Sequence, residues 1–189
     1  MIVLETERLI LRRLVESDLD ALFALYRDIE IRRHFPEGVL TLEETKEELE
    51  WFLQGHPKYP ALGLWATIHR ETGQFIGRCG LLPWTIDGAL EIEVAYMIDK
   101  RYWRQGLAKE AAKALVRHGF DELRLPRLIA LIDPEHTASI RTAQRAGLTF
   151  DQEIEMDGVL SAVYAIANPA VSADPAHPIQ SAASTLDTR

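Results

Sequence analysis

One stretch in the middle of the chain decides the fold, Lys100-Arg101-Tyr102-Trp103-Arg104-Gln105-Gly106-Leu107-Ala108-Lys109-Glu110-Ala111. It follows an apolar, strand-like run and opens a helix-like one. Gly106 and Ala108 are small residues at the turn itself, and small residues let backbone N–H groups come close to a ligand. The N-terminus of a helix presents unpaired N–H groups and the positive end of the helix dipole, so its natural guest is an anion, above all a phosphate. The stretch therefore predicts a pyrophosphate site.

The composition around this stretch is typical of one globular domain. The chain has 189 residues, of which 47% are hydrophobic and 26% charged. Its net charge is -8, from 29 acidic and 21 basic residues, which argues against a nucleic-acid binder that works by neutralising phosphates. Apolar runs stay shorter than a membrane-spanning helix and the first residues lack a signal-peptide pattern. We therefore expect a cytoplasmic protein with neither nucleic acid nor membrane as a partner.

Cysteine and histidine usage argues against a metal site. Cys79 is the single cysteine, so an internal disulfide and a cysteine-based metal cluster are both excluded. It lies in an apolar run, where a buried thiol that fills the core is the better interpretation. The six histidines show no metal-ligand spacing with one another or with Cys79. We expect no bound metal.

Upstream of the central stretch, the pattern predicts a strand, two helices and three strands. Residues 2–14 alternate like a strand, and helical spacing begins after Ser17, a good N-cap. Thr41 and Glu44 form the signature of a capping box for a second helix. Strand-like runs follow at residues 64–69, 74–82 and 90–98, and Asp87-Gly88 is a strong hairpin signal before the last of them.

Downstream, the pattern predicts helices and strands in turn. The helix opened by the central stretch runs to about residue 122, a strand follows at 127–132, and a helix spans about 137–146 before the cap residue Gly147. Two last strands, at 149–156 and 160–167, flank a turn at Asp157-Gly158. Residues 1–167 therefore form one domain. Residues 168–189 lack aromatic side chains and contain recurring prolines, which predicts a flexible C-terminal tail.

Three motifs in this order resemble one family. The run at residues 102–111 looks like the acetyl-CoA pyrophosphate loop of the GNAT superfamily of N-acetyltransferases, and more closely like its RimJ/RimL branch, the ribosomal-protein N-terminal acetyltransferases. Residues 5–12, Glu-Thr-Glu-Arg-Leu-Ile-Leu-Arg, are similar to the first strand of that branch. Residues 137–147 resemble its last helix. The resemblance covers about residues 2–167.

The resemblance implies an α/β (α+β) fold and an acetyl-CoA site. It implies a mixed, bent central sheet of about seven strands flanked by about four helices, with the strands at 90–98 and 127–132 splayed apart at their ends. The backbone of Met97 and Ile98 would pair with the pantetheine arm in that gap. His136 stands where members usually carry an Asn that contacts this arm. The pyrophosphate would be bound by six residues of the central stretch: Arg104, Gln105, Gly106, Leu107, Ala108 and Lys109.

Transfer of an acetyl group to an amine requires a base and a stabilised thiolate. Well under about 1% of a lysine-like amine is neutral at pH 7, so a carboxylate must take its proton, directly or through water. Glu93 matches the place where several members of the family carry this base, and Glu91, on the same strand face, is the second candidate. Solvated strand charges and a water chain are the alternatives. Ser139 matches a serine that would assist the leaving thiolate, and an ordinary helix serine is the alternative.

The acceptor side is the least defined part of the sequence. In the family the segment between the first two helices shapes the acceptor pocket, which implies His34 and Phe35 as contacts. Trp84, beside the hairpin, is a candidate to line the same pocket. An ordinary loop histidine and aromatic core packing are the alternatives. The implied function is transfer from acetyl-CoA to a primary amine, either a protein N-terminus or a small molecule. A coenzyme-A-binding module without transferase activity, or a transferase for another acyl-CoA, are the alternatives, and a homodimer is possible.

Overall fold

The computed structural model describes residues 1–171, so residues 172–189 of the predicted tail lie outside the described residues. Within them, eight strands form one sheet in the order β1-β2-β3-β4-β5-β6-β8-β7. Neighbouring strands are antiparallel, apart from the parallel pair β5 and β6. The strands are Ile2–Glu5 (β1), Leu9–Arg13 (β2), Gly63–His69 (β3), Phe75–Ile86 (β4), Ala89–Ile98 (β5), Arg127–Ile132 (β6), Thr149–Met156 (β7) and Val159–Ala167 (β8).

Five α-helices cover the sheet in the described part of the chain. They are Leu19–Tyr26 (α1), Ile29–Arg32 (α2), Leu42–Gln54 (α3), Leu107–Asp121 (α4) and Thr137–Ala146 (α5). Buried side chains of α1 and α3 share a cluster with Met97, whereas those of α4 share the main cluster with Ile98. Because neighbouring residues of a strand point to opposite faces, α1–α3 cover one face of the sheet and α4 and α5 the other.

The strand count of about seven in the sequence analysis is too low by one, because residues 2–14 form two strands and not one. Thr6 closes a tight turn between them: its N–H donates to the Leu9 carbonyl at 2.9 Å, and its hydroxyl accepts the Leu9 N–H at 2.9 Å. The extra helix, α2, begins at Asp28, whose side chain accepts the N–H groups of Glu30 and Ile31. Such short side-chain caps favour a turn of helix where hydrophobic periodicity gives no signal.

Other local signals are confirmed. Thr41 and Glu44 form the capping box of α3, and Gly147 caps α5 with a φ of 102°. Asp87 and Gly88 both have positive φ, and their hairpin pairs Ile86 with Ala89. Asn168, at the start of the predicted tail, is buried instead, since its side chain donates to the Leu125 carbonyl at 3.0 Å.

The two central strands separate after a single point of contact. In the described residues, β5 and β6 pair at Glu93 and Ile129, and the register goes no further toward their C-terminal ends. From Ala95 to Ile98, β5 pairs with β4 on one edge and has no strand partner on the edge that faces β6 in the described residues. The predicted splayed pair is therefore present, and the opening begins immediately beyond Glu93.

Candidate active site

The helix N-terminus at the central stretch presents free backbone donors. Gly106 is the N-cap of α4, with a left-handed φ of 78° and no side-chain cap. The first helical hydrogen bond is donated by Glu110 to the Gly106 carbonyl, at 3.0 Å. The N–H groups of Leu107, Ala108 and Lys109 therefore have no partner inside the helix. With the dipole of a 15-residue helix behind them, they are the donors that the predicted anion site requires.

A carboxylate from the same helix fastens this turn to the first hairpin. Glu110 accepts the Thr6 hydroxyl at 2.6 Å, the Arg8 N–H at 2.9 Å and the Arg8 Nε–H at 2.7 Å. Arg8 also donates from Nη1 to the Gln105 carbonyl, at 3.0 Å. The opening motif and the central stretch, which are far apart in sequence, therefore hold the same loop in place.

Backbone direction decides which residues of β5 face the gap. The Asp99 N–H donates to the Ile76 carbonyl at 2.7 Å, beside the Gly77–Ile98 pair. Hydrogen-bonded and non-hydrogen-bonded pairs alternate in an antiparallel ladder, so the next pair, Arg78 with Met97, is hydrogen-bonded. Met97 therefore turns its N–H and C=O toward β4, and a Cβ built on Gly77 would lie 2.2 Å from the Met97 oxygen.

The backbone groups that face the gap belong to Tyr96 and Ile98. This corrects the assignment of Met97 as a backbone partner for pantetheine, because its polar groups are already used by β4. One group at the gap is also occupied: Trp103 donates its indole N–H to the Ile98 carbonyl at 2.7 Å. That bond ties the loop before α4 to the end of β5.

The two strand carboxylates have different environments. Glu91 faces Arg127, whose Nε lies 3.2 Å from its Oε1, and Arg127 also pairs with Asp151 at 2.8 Å. Glu93 instead accepts the indole N–H of Trp84 at 2.7 Å. Burial raises the pKa of Glu93, while the Trp84 hydrogen bond, the Arg78 charge and the Leu131 N–H act in the opposite direction. Glu93 is thus a carboxylate of raised proton affinity at the point where the strands part.

Ser139 is joined to a tyrosine that the sequence analysis did not consider. The Tyr96 hydroxyl lies 3.0 Å from the Ser139 hydroxyl and donates to the Ser139 carbonyl at 3.0 Å. Tyr96 comes from β5 and Ser139 from α5, which follows β6, so the pair spans the gap. Burial raises the pKa of Tyr96, which keeps its hydroxyl protonated.

The predicted acceptor residue His34 and the predicted cofactor residue His136 are in direct contact. Their rings stack with centroids 4.0 Å apart. His34 Nε2 accepts the Arg33 Nε–H at 3.0 Å, so Nδ1 carries the proton toward Asp133 Oδ2, 2.6 Å away. Burial, followed by the nearby His34, lowers the pKa of His136 to about 4. This cluster connects the segment after α2 with the start of α5.

Comparison with known proteins agrees with this geometry. A family model described as an acetyltransferase (GNAT) domain matches residues 8–149. The chain belongs to the GNAT family of acetyltransferases. It is 33% identical over 162 residues to YkkB, an uncharacterized protein of Bacillus subtilis (strain 168). The alignment covers 85% of this chain and 93% of YkkB.

Solved structures show the same fold for this GNAT enzyme. A GNAT-family acetyltransferase from Bacillus anthracis superposes with a TM-score of 0.74 at 25% identity, covering 89% of this chain and 99% of that one. RimL, the ribosomal L7/L12 α-N-protein acetyltransferase, solved in complex with coenzyme A, superposes with a TM-score of 0.70 at 19% identity, covering 88% and 98%. In the described residues, this GNAT enzyme has no helix that is both long and apolar enough to span a membrane.

The structure brings the predicted residues of this GNAT enzyme together in two pairs. Glu93 contacts Trp84 and His34 contacts His136, whereas the partner of Ser139 is Tyr96. Phe35 is half-buried beneath two arginine side chains, so it contributes packing as well. Tyr96 was missed because its role depends on a partner 43 residues away. Its place on a strand beside the central stretch was the one signal that could have pointed to it.

Proposed function

We propose that this GNAT enzyme transfers an acetyl group from acetyl-CoA to a primary amine by direct attack on the thioester. The observation that carries the proposal is the gap between β5 and β6, which opens beside the uncapped N-terminus of α4. Such an arrangement offers a slot for an extended arm and an anion site for its phosphates. The residues at the anion site are Arg104, Gln105, Gly106, Leu107, Ala108 and Lys109, as the sequence predicts.

The chemistry of the step is assigned to three side chains. Glu93 takes the proton of the amine, because its raised pKa brings it closer to the operating pH than an ordinary carboxylate. Glu91 is the weaker candidate, since Arg127 already neutralises it. Two hydroxyl hydrogens are available in the Tyr96–Ser139 pair, and one can turn to the leaving thiolate while the other keeps the pair joined.

The gap-facing backbone provides the remaining contacts. The backbone of Tyr96 pairs with the pantetheine arm as a neighbouring strand would. The N–H of Ile98 stabilises the oxyanion that forms during attack. His136 contributes a ring edge in place of an amide at the start of α5.

The branch and cellular setting complete the proposal. The motifs at residues 5–12 and 102–111 support the RimJ/RimL-like branch, and the fold that this chain shares with RimL is compatible with it. We propose that the enzyme works in the cytoplasm on a protein N-terminus or a small amine. A homodimer remains a prediction for size-exclusion chromatography with light scattering.

Two measurements test the proposal. Isothermal titration should show acetyl-CoA binding, and a thiol-release assay over a panel of amines should show turnover. Absence of acetyl-CoA binding would refute the proposal at its first step. Binding that persists without turnover on every amine would favour a coenzyme-A-binding module, and a higher affinity for another acyl-CoA would change the donor.

A further inference from the structure

A buried arginine on the sheet face covered by α1–α3 lacks a full set of hydrogen-bond partners. Arg78, in β4, is 7% exposed, and it pairs across the ladder with Met97. Its Nε–H donates to the Tyr26 hydroxyl at 2.6 Å. Its two terminal nitrogens have no acceptor among residues 1–171, yet neither is fully enclosed by protein atoms. A guanidinium has five N–H donors, so most of this group's hydrogen-bonding capacity is unused.

The counter-charge of Arg78 is indirect. The Tyr26 hydroxyl accepts the hydrogen bond from Arg78 and donates one to the Glu48 carboxylate. Burial raises the pKa of Tyr26, so this hydroxyl stays neutral and carries no charge of its own. No carboxylate among the described residues lies within salt-bridge distance of Arg78. Burying a charge without a direct partner is costly, which favours a partner supplied from outside the chain.

A second buried arginine in the same cluster is better paired than Arg78. Arg32 is 2% exposed, and its guanidinium stacks on Phe35 and Tyr26, as that of Arg78 also does. Unlike Arg78, it donates to the Gly38 carbonyl at 2.6 Å and pairs with Glu37 at 3.2 Å. Arg32 therefore has a carbonyl and a carboxylate as partners within the protein, whereas the terminal nitrogens of Arg78 have no acceptor among residues 1–171.

The position of Arg78 relates it to the base. Side chains at Arg78, Met97 and Glu93 share the sheet face covered by α1–α3. Met97 lies four residues beyond Glu93, about 13 Å along the strand. Arg78 nevertheless acts on Glu93, because its charge opposes the rise in the pKa of that carboxyl. An acceptor molecule between them would meet a base at one end and a guanidinium fork at the other.

We propose that Arg78 binds a carboxylate of the acceptor, so that the amine substrate of this enzyme is a small amino acid-like molecule and not a polyamine. This inference rests on the proposed acetyl transfer. A planar guanidinium and a carboxylate match as two parallel N–H···O bonds, which fixes the orientation of the acceptor with its amine toward Glu93. Arg78 is thus a specificity-determining residue.

The test compares acceptors that differ only in this charge. Glycine, β-alanine and longer ω-amino acids are assayed by thiol release beside their primary carboxamides, with spermidine as the polycationic probe. The wild-type enzyme should prefer at least one acid over its amide by about tenfold or more in kcat/KM. Arg78→Met should remove that preference by lowering kcat/KM for the acids much more than for the amides, and Arg78→Lys should keep part of it.

The matched control is Arg32→Met. It removes a similarly buried arginine that already has a carboxylate partner within the protein, so it should lower the melting temperature yet retain the preference for acids. Acids and amides used equally by the wild type, or a preference for spermidine, would overturn the inference, as would an equal loss on both acceptor types in Arg78→Met with normal acetyl-CoA affinity. If Arg78→Met does not fold, the wild-type preference and Arg78→Lys still decide.

Failure of the underlying function looks different. Absence of acetyl-CoA binding, or of thiol release with every amine, overturns both proposals. Turnover of neutral amides without a preference for acids overturns the role of Arg78 alone.

Discussion

At the scale of single residues, two carboxylates on the same face of β5 differ in their partners. Glu91 is neutralised by Arg127, while Glu93 is held by the Trp84 indole N–H at 2.7 Å. The hydrogen bond orients the Glu93 carboxylate without supplying a full counter-charge. Burial therefore has a large effect on Glu93, and its pKa rises.

Glu93→Gln should lower turnover by about a hundredfold while changing acetyl-CoA affinity little, because the base acts only in the transfer step. Wild-type kcat/KM should fall as the pH drops through the raised pKa of Glu93, since only the carboxylate accepts a proton. The Gln variant should lack this dependence. Steady-state kinetics from acid to neutral pH, with isothermal titration, measure both effects, and unchanged turnover at neutral pH would remove Glu93 from this role.

The same substitution has a consequence for stability. A raised pKa means that the folded protein binds this proton more tightly than the unfolded chain, whose value is about 4.3. The stabilisation by that proton is complete below the pKa of Glu93 in the unfolded chain. It is lost as the pH rises through the pKa of Glu93 in the folded protein. At neutral pH the neutral Gln should therefore melt no lower than the wild type. Glu91→Gln is the matched control: it breaks an ion pair, so it should reduce stability while retaining turnover.

Tyr96→Phe should reduce turnover by about tenfold, because the leaving thiolate loses a hydrogen-bond donor. The effect is modest since coenzyme A, with a thiol pKa of about 8.5, leaves readily without help. Thiol-release kinetics measure the loss, and Ser139→Ala should show a comparable one because both hydroxyls belong to one pair. A wild-type rate in both variants would exclude the pair from the step.

At the scale of elements, the helix α4 works because another element holds its N-terminus in place. Glu110 accepts three hydrogen bonds from the turn between β1 and β2, and Arg8 of that turn contacts the Gln105 carbonyl. Burial acts to raise the pKa of Glu110, but these bonds outweigh it and hold the pKa below its usual range. The turn before α4 is therefore positioned from outside the helix as well as by Gly106.

Glu110→Gln should destabilise the fold by about 1–3 kcal/mol at neutral pH, since hydrogen bonds to a charged acceptor are lost. A lowered carboxyl pKa contributes stability above the unfolded value of about 4.3, and that contribution is lost as the pH falls through the folded value. The difference between wild type and variant should thus shrink in acid. Urea unfolding at several pH values tests this, and a difference independent of pH would contradict it. Lys109→Gln, next to Glu110 on the same helix, is the control.

At the scale of the whole molecule, a histidine cluster connects the two sides of the gap. The segment after α2 reaches the start of α5 through His34, Asp133 and His136. Burial and the nearby His34 lower the pKa of His136 to about 4, so its ring is uncharged at neutral pH. We expect protonation of His136 to weaken the contact between the segment after α2 and the start of α5.

Stability should decline as the pH falls below about 6.5, the value of an unfolded histidine, toward the folded value of about 4. The sign follows from the lowered pKa: the folded state binds this proton less tightly, so its advantage is complete above the unfolded value and is lost in acid. His136→Asn should flatten this part of a melting curve recorded against pH, and His69→Asn, outside the cluster, should not. A decline as steep in His136→Asn as in the wild type would assign it to other groups.

Local chemistry is what the sequence by itself determined. Thr41 with Glu44, Asp87 with Gly88, and Gly106 each act through their own backbone and near neighbours, so the element order and the anion-binding turn followed from them. The splayed strands and the family were accessible because three such motifs occur in a fixed order.

Only the tertiary structure decided which groups meet. The register of pairing with β4 decides whether the backbone N–H and C=O groups of Met97 or those of Tyr96 face the gap. The direction of these groups alternates from one residue to the next along the strand. The choice between Glu91 and Glu93 depends on Arg127, and Ser139 acquires its partner from β5. The guanidinium N–H groups of Arg78 that lack an acceptor are a property of its buried surroundings and not of its neighbours in the chain. Contacts between distant segments determine which side-chain charges are paired, which way backbone groups point and which side chains are buried. A candidate site depends on all three.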